Sequence, residues 1–114
     1  MSEESCLFCK IIAGKIPGEF VHQDDRCVVI RDISPQAPMH VLVIPRQHLE
    51  SLDDASQKDE GLLGHLLRVG ARVANDQEHD SYRTVINTGA GAGQSVFHLH
   101  VHVLGGRRME WPPG

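Results

Sequence analysis

The sequence is short of cysteine and of long apolar stretches. Three cysteines, an odd number, cannot all pair in a disulfide framework and favour a reducing, cytoplasmic location. The longest apolar runs, such as residues 41–44, have four residues, whereas a membrane-spanning helix needs about 20. Residues 1–5 are acidic and no apolar stretch follows them, so they do not predict a secretory leader. We therefore expect no membrane partner.

Basic charge is also scarce. The chain has 11 Lys and Arg against 15 Asp and Glu, a formal net charge of −4, and no basic block, which disfavours nucleic acid as a partner. With 40% hydrophobic and 23% charged residues, the 114-residue composition is typical of one globular domain over residues 1–114. Histidine is abundant by contrast, at eight residues, and it directs attention to imidazole chemistry.

Hydrophobic periodicity predicts an antiparallel α+β fold with one short helix, one long helix and five strands. The helices are predicted over residues 6–13 and 57–75, with Ser56 as the N-cap of the second. The strands are predicted over residues 19–23, 27–32, 40–44, 82–87 and 97–104.

The last predicted strand alternates histidine with apolar residues. Side chains of a strand point alternately to opposite faces, so three imidazoles about 6.6 Å apart share one face. They are His98, His100 and His102. Every ring nitrogen on such a face needs a partner, which favours a functional site over a solvated strand face that happens to use histidine.

A glycine-rich segment, residues 88–95, leads into this strand. Its glycines permit positive φ, and its backbone amides can form a nest for an anion such as phosphate. An unprotonated imidazole is a competent nucleophile, and neighbouring rings disfavour its charged form. The segment and the histidines together predict attack on phosphorus through a covalent phosphohistidine-type intermediate, with no cofactor required for catalysis.

Residues 94–104 resemble the His-φ-His-φ-His-φ-φ signature of the histidine triad (HIT) superfamily. Residues 32–40, Asp-Ile-Ser-Pro-Gln-Ala-Pro-Met-His, and the ending Leu-Gly-Gly-Arg…Trp-Pro-Pro-Gly are similar to its histidine triad nucleotide-binding (Hint) branch. The resemblance runs from Phe8 to Gly114. It implies a five-stranded antiparallel sheet with two helices, and a homodimer that joins two sheets into ten strands. The implied activity is hydrolysis of purine nucleoside 5′-phosphoramidates.

The resemblance also implies catalytic roles. His100 would be the nucleophile that carries the nucleotide, and His102 would contact the phosphate. His40 would hydrogen-bond the catalytic ring and set its tautomer. Ser95 would assist the leaving amine, while backbone amides near Gly93 and Ser95 would stabilise charge on the phosphate oxygens.

The nucleotide-binding set implied by the resemblance adds polar and apolar residues. Asn87 resembles a phosphate-side ligand, and Asp32 resembles the carboxylate that binds both ribose hydroxyls. Gln94 is also expected to be a nucleotide-binding residue. The walls around the base would be apolar: Phe8, Ile11, Ile33 and Leu42. A flat apolar slot selects a purine by stacking, so both adenine and guanine fit.

A zinc site is also possible. Cys6 and Cys9 stand three residues apart on one helical face, which by itself is a weak signal for a metal. Several HIT proteins complete such a site with the first triad histidine and a later histidine, here His98 and His48. A zinc ion there would be structural and closed. The alternative is two free thiols and two ordinary histidines; Cys27 we interpret as a small apolar residue.

Two other functions stay open at this stage. A dinucleoside polyphosphate hydrolase of the Fhit type shares the triad, although that branch lacks the Trp-Pro-Pro-Gly ending. A purine-nucleotide-binding or scaffold protein without significant catalysis would use the same pocket.

The tail around Trp111 resembles a segment that reaches the partner subunit's site, but an exposed terminal tryptophan can also be a simple interface anchor.

Overall fold

The computed structural model describes residues 5–114; residues 1–4, on which the expectation about a leader falls, lie outside the described residues. Two helices and five strands follow one another along the chain: α1 (Leu7–Ile12), β1 (Phe20–Gln23), β2 (Cys27–Arg31), β3 (Met39–Pro45), α2 (Glu60–Asp76), β4 (Tyr82–Val85) and β5 (Val101–Gly105). Neither helix in this part of the chain is long and apolar enough to cross a membrane.

The five strands form one antiparallel sheet in the order β1-β2-β3-β5-β4, which confirms the predicted α+β fold. The β1–β2 turn is closed by Asp24, whose carboxylate accepts the backbone amides of Arg26 and Cys27 at 2.8 Å. The other carboxylate oxygen accepts the ring N–H of His65 on α2 at 2.9 Å. The hairpin is thereby fastened to the long helix.

Apolar side chains are buried on both faces of the sheet. α2 covers one face, where Leu66 packs with Val103 and other strand residues. α1 covers part of the opposite face, where Phe8 and Ile11 join Leu42. Each face of the sheet therefore has its own apolar layer, and the smaller layer under α1 lies on the side that carries the candidate site.

Cys27 belongs to the layer under α2 and is fully buried. Burial raises the pKa of its thiol to about 12, so it stays neutral at ordinary pH. This agrees with its interpretation as a small apolar residue.

Two predicted strands have a boundary that is wrong by more than one residue. β5 begins at Val101 rather than at residue 97, because its partner strand β3 ends at Pro45, which has no amide hydrogen to continue the ladder. The amide of Leu99 instead donates to the carbonyl of Leu49 at 2.7 Å. β4 likewise ends at Val85 rather than at residue 87.

The beginning of the long helix also differs from the prediction. Ser56 precedes a short 3₁₀ turn, Gln57–Asp59, and α2 begins only at Glu60. The carboxylate of Asp59 accepts the Ser56 amide at 2.9 Å, so the capping interaction closes the turn and not the first turn of α2.

Candidate active site

A cavity of about 290 Å³ lies on the α1 face of the sheet. Its lining is mostly apolar with a group of polar residues, as expected for a small-molecule site. The apolar lining consists of Leu7, Phe8, Ile11, Ile30, Ile33, Leu42 and Val96. The polar lining consists of Arg31, Asp32, Asn87, Ser95, His100 and His102, and Gly93 completes it. Residues separated by more than 90 positions in the sequence thus meet around one space.

Most of the predicted nucleotide-binding residues line this cavity, and Gln94 is the exception. Gln94 is 4% exposed, and its side chain is used within the protein. The amide group donates to the carbonyl of Glu50 at 2.7 Å, and its oxygen accepts the Gly89 amide at 2.9 Å. Gln94 therefore stabilises the glycine-rich loop by linking Gly89 to Glu50.

Four residues line the cavity without having been predicted from the sequence: Leu7, Ile30, Arg31 and Val96. A signal existed for Ile30, because it stands two residues before Asp32 and strand alternation puts both on one face. No comparable pattern marked Leu7, which is 41% exposed in α1 beside the buried Phe8. Ile33 was predicted correctly as lining, yet it is 98% exposed and forms the open rim.

His100 has one ring nitrogen fixed by the backbone. Its Nδ1–H donates to the carbonyl of His98 at 2.7 Å, because a carbonyl can only accept. The lone pair is therefore on Nε2, the nitrogen left for the cavity. Burial lowers the pKa of His100, so the ring is neutral near pH 7. The edge of Phe8 packs against it with ring centroids 5.0 Å apart.

The tautomer of His40 is also set by the backbone, in this case by a donor. The amide of Gln36 donates to His40 Nδ1 at 3.0 Å, so the ring proton is on Nε2. That proton is donated to His102 Nδ1 at 2.9 Å. His102 in turn carries its own proton on Nε2 and offers it as a hydrogen-bond donor. Burial, followed by the neighbouring His100 and His40, lowers the pKa of His102 to about 4.

This arrangement corrects the expected role of His40. The resemblance implied a hydrogen bond from His40 to the catalytic ring, but the ring of His40 bonds to His102, and the tautomer of His100 is set by a carbonyl. The reason is the strand register, which pairs Leu42 of β3 with His102 and so brings the neighbouring His40 within reach of that ring.

Asp32 lies beside the same pair. One carboxylate oxygen accepts the Ser34 amide at 2.8 Å, and the other lies 3.4 Å from His40 Nε2. Ligand atoms of Asp32, His40 and His102 fall within 4.8 Å of one another. They are a poor metal set, because the Gln36 amide occupies the lone pair of His40 and leaves a proton on the nitrogen that would have to bind the metal.

The glycine-rich loop bends at two glycines with positive φ, Gly89 at 90° and Gly93 at 96°. The Gly93 amide donates to the Ala90 carbonyl at 3.0 Å to close a 3₁₀ turn, so it is not free for the anion contact that was expected. The amide of Ser95 makes no hydrogen bond within residues 5–114. Of the two amides expected to contact an anion, that of Ser95 is the one left without a partner in the described residues.

The four predicted zinc ligands converge on one point behind the cavity. Cys6 Sγ lies 3.2 Å from His98 Nδ1, and Cys9 Sγ lies 3.3 Å from His48 Nδ1. The two Nδ1 atoms are 3.1 Å apart. In a zinc tetrahedron these edges measure about 3.6 Å for sulfur to nitrogen and about 3.3 Å for nitrogen to nitrogen. The ligand spacing fits such an ion closely.

The second nitrogen of His98 supports this assignment. His98 Nε2–H donates to the carbonyl of Pro45 at 2.8 Å, so its Nδ1 lone pair faces the two thiols. Burial lowers the pKa of His98 to about 4, which keeps that lone pair available. The donor set is thus two sulfurs and two imidazole nitrogens, all of them electron-pair donors toward one centre, as a closed zinc site requires.

The chain is similar to known proteins over nearly its whole length. Residues 5–110 match the family described as "scavenger mRNA decapping enzyme C-term binding". An uncharacterized HIT-like protein of Synechococcus elongatus is 51% identical over 115 aligned positions, covering 100% of both chains. Another, of Synechocystis, is 51% identical over 112 positions, 97% of this chain and 98% of that protein.

Solved structures give the same result. A HIT family hydrolase from Legionella pneumophila is 44% identical, with a TM-score of 0.93 over 96% of this chain and 100% of that one. A histidine triad protein from Clostridium difficile is 38% identical, with a TM-score of 0.91 over 96% and 97%. The fold and the alternating histidines are those of the histidine triad class of proteins. The chain belongs to the HIT superfamily, and it is similar to HIT family hydrolases over nearly its whole length.

Proposed function

We propose that the protein hydrolyses purine nucleoside 5′-phosphoramidates, cleaving the P–N bond of AMP–amine compounds through a nucleotidyl-His100 intermediate. The observation that carries the proposal is the hydrogen bond from His100 Nδ1 to the His98 carbonyl at 2.7 Å. It leaves the Nε2 lone pair of a buried, neutral ring at the cavity, which is what a nucleophile at phosphorus requires.

In the first step the Nε2 lone pair attacks the α-phosphorus, and the P–N bond to the amine breaks with its electron pair going to nitrogen. The amine leaves after taking up a proton from water, with the Ser95 hydroxyl in the role of assisting that transfer. A second water then attacks phosphorus and gives up a proton to solvent, the bond to His100 breaks with its electron pair returning to Nε2, and the nucleoside monophosphate leaves. We propose no cofactor for either step.

His102 and Ser95 contribute hydrogen-bond donors to this chemistry. The Gln36–His40–His102 series leaves a proton on His102 Nε2, which can bind a non-bridging phosphate oxygen. The free Ser95 amide can bind another. Donors fixed in advance by the protein stabilise charge that develops in the transition state, usually the largest catalytic effect.

The rest of the nucleotide would occupy the apolar part of the cavity. Phe8, Ile11 and Leu42 are buried and offer a flat wall to a purine, and Ile33 would cover it from the rim. Asp32 is the lining carboxylate suited to the two ribose hydroxyls, and Asn87 is suited to the phosphate side.

We also infer a structural zinc ion and a homodimer. Cys6, Cys9, His48 and His98 would hold the zinc and link α1 to the sheet. The dimer would join two sheets into ten strands, covering an edge strand that a 114-residue chain otherwise leaves open.

The substrate assignment is tested by comparing turnover of an adenosine 5′-phosphoramidate with that of diadenosine triphosphate. We expect kcat/KM to be higher for the phosphoramidate; the reverse order would indicate the Fhit-type activity instead. Tight AMP binding with negligible turnover of both would indicate a binding protein.

The variant His100→Ala tests the assignment of His100 as the nucleophile. It should lose several orders of magnitude in kcat, about 10³-fold or more, and keep nucleotide affinity within a few-fold, because the nucleophile acts only on the reacting atom. Turnover at the wild-type level in this variant would exclude His100 as nucleophile, whichever substrate proves correct.

A further inference from the structure

The chain after β5 lies against the segment that leads into β3. Gly106 has a φ of +95°, and a Cβ built on it would lie 2.9 Å from Pro38 Cβ, so only glycine permits this approach. The next residue, Arg107, is thereby brought over residues 34–38, the irregular segment that precedes His40.

Arg107 binds the backbone of Gln36 from this position. Its Nε–H donates to the Gln36 carbonyl at 2.7 Å, and Nη1 donates to the carbonyl of Arg108 at 3.1 Å. The amide of Gln36 donates to His40 Nδ1 at 3.0 Å. Gln36 is thus held at its carbonyl while its N–H sets the tautomer of His40, and His40 sets that of His102 through the 2.9 Å bond.

We propose that Arg107 is a positioning residue for the His40–His102 pair: by holding the Gln36 backbone, it keeps the ring protons of both histidines on Nε2 and keeps His102 a donor toward the cavity. The kinetic part of this inference rests on the proposed function, whereas the tautomer part does not. Arg107 lies outside the cavity lining, so it acts through other residues.

The consequence of losing this hold follows from the hydrogen-bond roles. If the Gln36 amide turns away, His40 can carry its proton on Nδ1 and accept at Nε2. His102 must then carry its proton on Nδ1, and it presents a lone pair to the phosphate oxygens. His102 Nε2 then changes from a hydrogen-bond donor to an acceptor, and its lone pair repels the negative charge that develops on the phosphate oxygens.

Several charged groups face His40 from the elements packed around it. Asp32, at the end of β2, lies 3.4 Å away and favours the protonated ring. Arg107 disfavours it, and burial, the largest influence, lowers the pKa of His40. His102 faces it from β5. Removing the Arg107 cation should therefore move the acidic limb of the pH–rate profile to higher pH.

The direct test is the ring ¹⁵N chemical shifts of His40 and His102 in the free protein, which report the protonated nitrogen and need no substrate. We expect Nε2–H at both rings in the wild type, a mixture of tautomers in Arg107→Ala, and recovery in Arg107→Lys. Unchanged tautomers in Arg107→Ala would overturn the inference even if the enzyme proves to act on phosphoramidates.

Kinetics supply the second test. Arg107→Ala should lower kcat about 10- to 100-fold, the cost of a lost hydrogen bond of this strength, with KM changed less than about twofold. Arg107→Lys should recover part of the loss. Arg108→Ala, which removes the same charge one residue away, should resemble the wild type. An equal loss in Arg108→Ala would mean that only net charge matters, and it would refute positioning by Arg107.

Discussion

Individual backbone groups decide what each histidine of the site does. The carbonyl of His98 binds His100 Nδ1, the carbonyl of Pro45 binds His98 Nε2, and the amide of Gln36 binds His40 Nδ1. Backbone carbonyls only accept and amides only donate, so these bonds leave no freedom in the tautomers. In the proposed function, chemically similar side chains thereby serve as a nucleophile, a metal ligand and part of a donor relay.

At the residue scale we predict a pH dependence of stability that originates at His102. Its pKa is about 4 in the native state and 6.5 when unfolded, so between these values the unfolded chain binds more protons. Stability from this source is complete above pH 6.5 and is lost as the pH falls toward 4. We expect the free energy of unfolding to fall by about 1 kcal/mol. This is less than the full pKa shift of His102 implies, because the ring is partly exposed and screened by solvent.

Urea unfolding at pH 7, 5.5 and 4.5 measures this effect. The free energy of unfolding should fall less steeply with acidity in His102→Asn than in the wild type, since asparagine cannot titrate. Parallel curves for the two proteins would contradict the prediction.

At the scale of elements, α2 was predicted well because its apolar stripe repeats over many turns, whereas the predicted β5 begins four residues too early. Histidine and apolar residues alternate through residues 97–104, but the ladder stops opposite Pro45 of β3. Alternation records which face a side chain occupies and says nothing about the hydrogen-bonding partner. Leu99 accordingly joins the core under α2 although its amide binds Leu49.

The glycines of α2 provide a matched pair for testing helix packing. A Cβ on Gly70 would lie 3.0 Å from Val103 Cγ2, whereas a Cβ on Gly64 would meet nothing within 4 Å. Gly70→Ala should destabilise the protein by about 1–3 kcal/mol through overpacking, and Gly64→Ala should stabilise it by about 0.5–1 kcal/mol through helix propensity. Thermal unfolding of both variants measures the difference; a change of equal sign would refute the close packing of α2 on β5.

The proposed zinc ion joins α1 to the sheet, and its loss should loosen that element. Elemental analysis of protein purified without an affinity tag should find about one zinc per chain in the wild type and nearly none in Cys9→Ser. Chelation should lower the melting temperature of the wild type only. Cys27→Ala is the control, because Cys27 lies in the other layer and should leave the zinc content unchanged. Wild-type protein that holds no zinc, even after zinc is added, would disprove the site.

At the scale of the whole molecule, the strand order leaves β1 and β4 as the edges of the sheet. Leu67 of α2 is 45% exposed, and Tyr82 of β4 is 37% exposed. We predict that a second subunit covers Leu67 and Tyr82, and that light scattering after size exclusion gives a dimer at micromolar concentration. Leu67→Lys should shift the protein toward monomer, while Leu52→Lys, at another exposed leucine, should not. A monomeric wild type would contradict the prediction.

Much of the candidate site could be predicted because its residues carry local patterns. Alternation identified His100 and His102, and the resemblance of residues 32–40 identified Asp32 and His40. Arg31, Gln36 and Arg107 were not found. Gln36 and Arg107 act through backbone atoms, which every residue type possesses, so no side-chain pattern marks them.

The sequence alone determined the fold class and the face shared by the histidines, because side-chain periodicity is a local property, and the resemblance to HIT proteins added the four residues suited to zinc. The tertiary structure decided which nitrogen of each ring holds the proton and which ring His40 touches. Those choices depend on carbonyls and amides from segments as distant as residues 45 and 98, which only the register of β3 and β5 brings together.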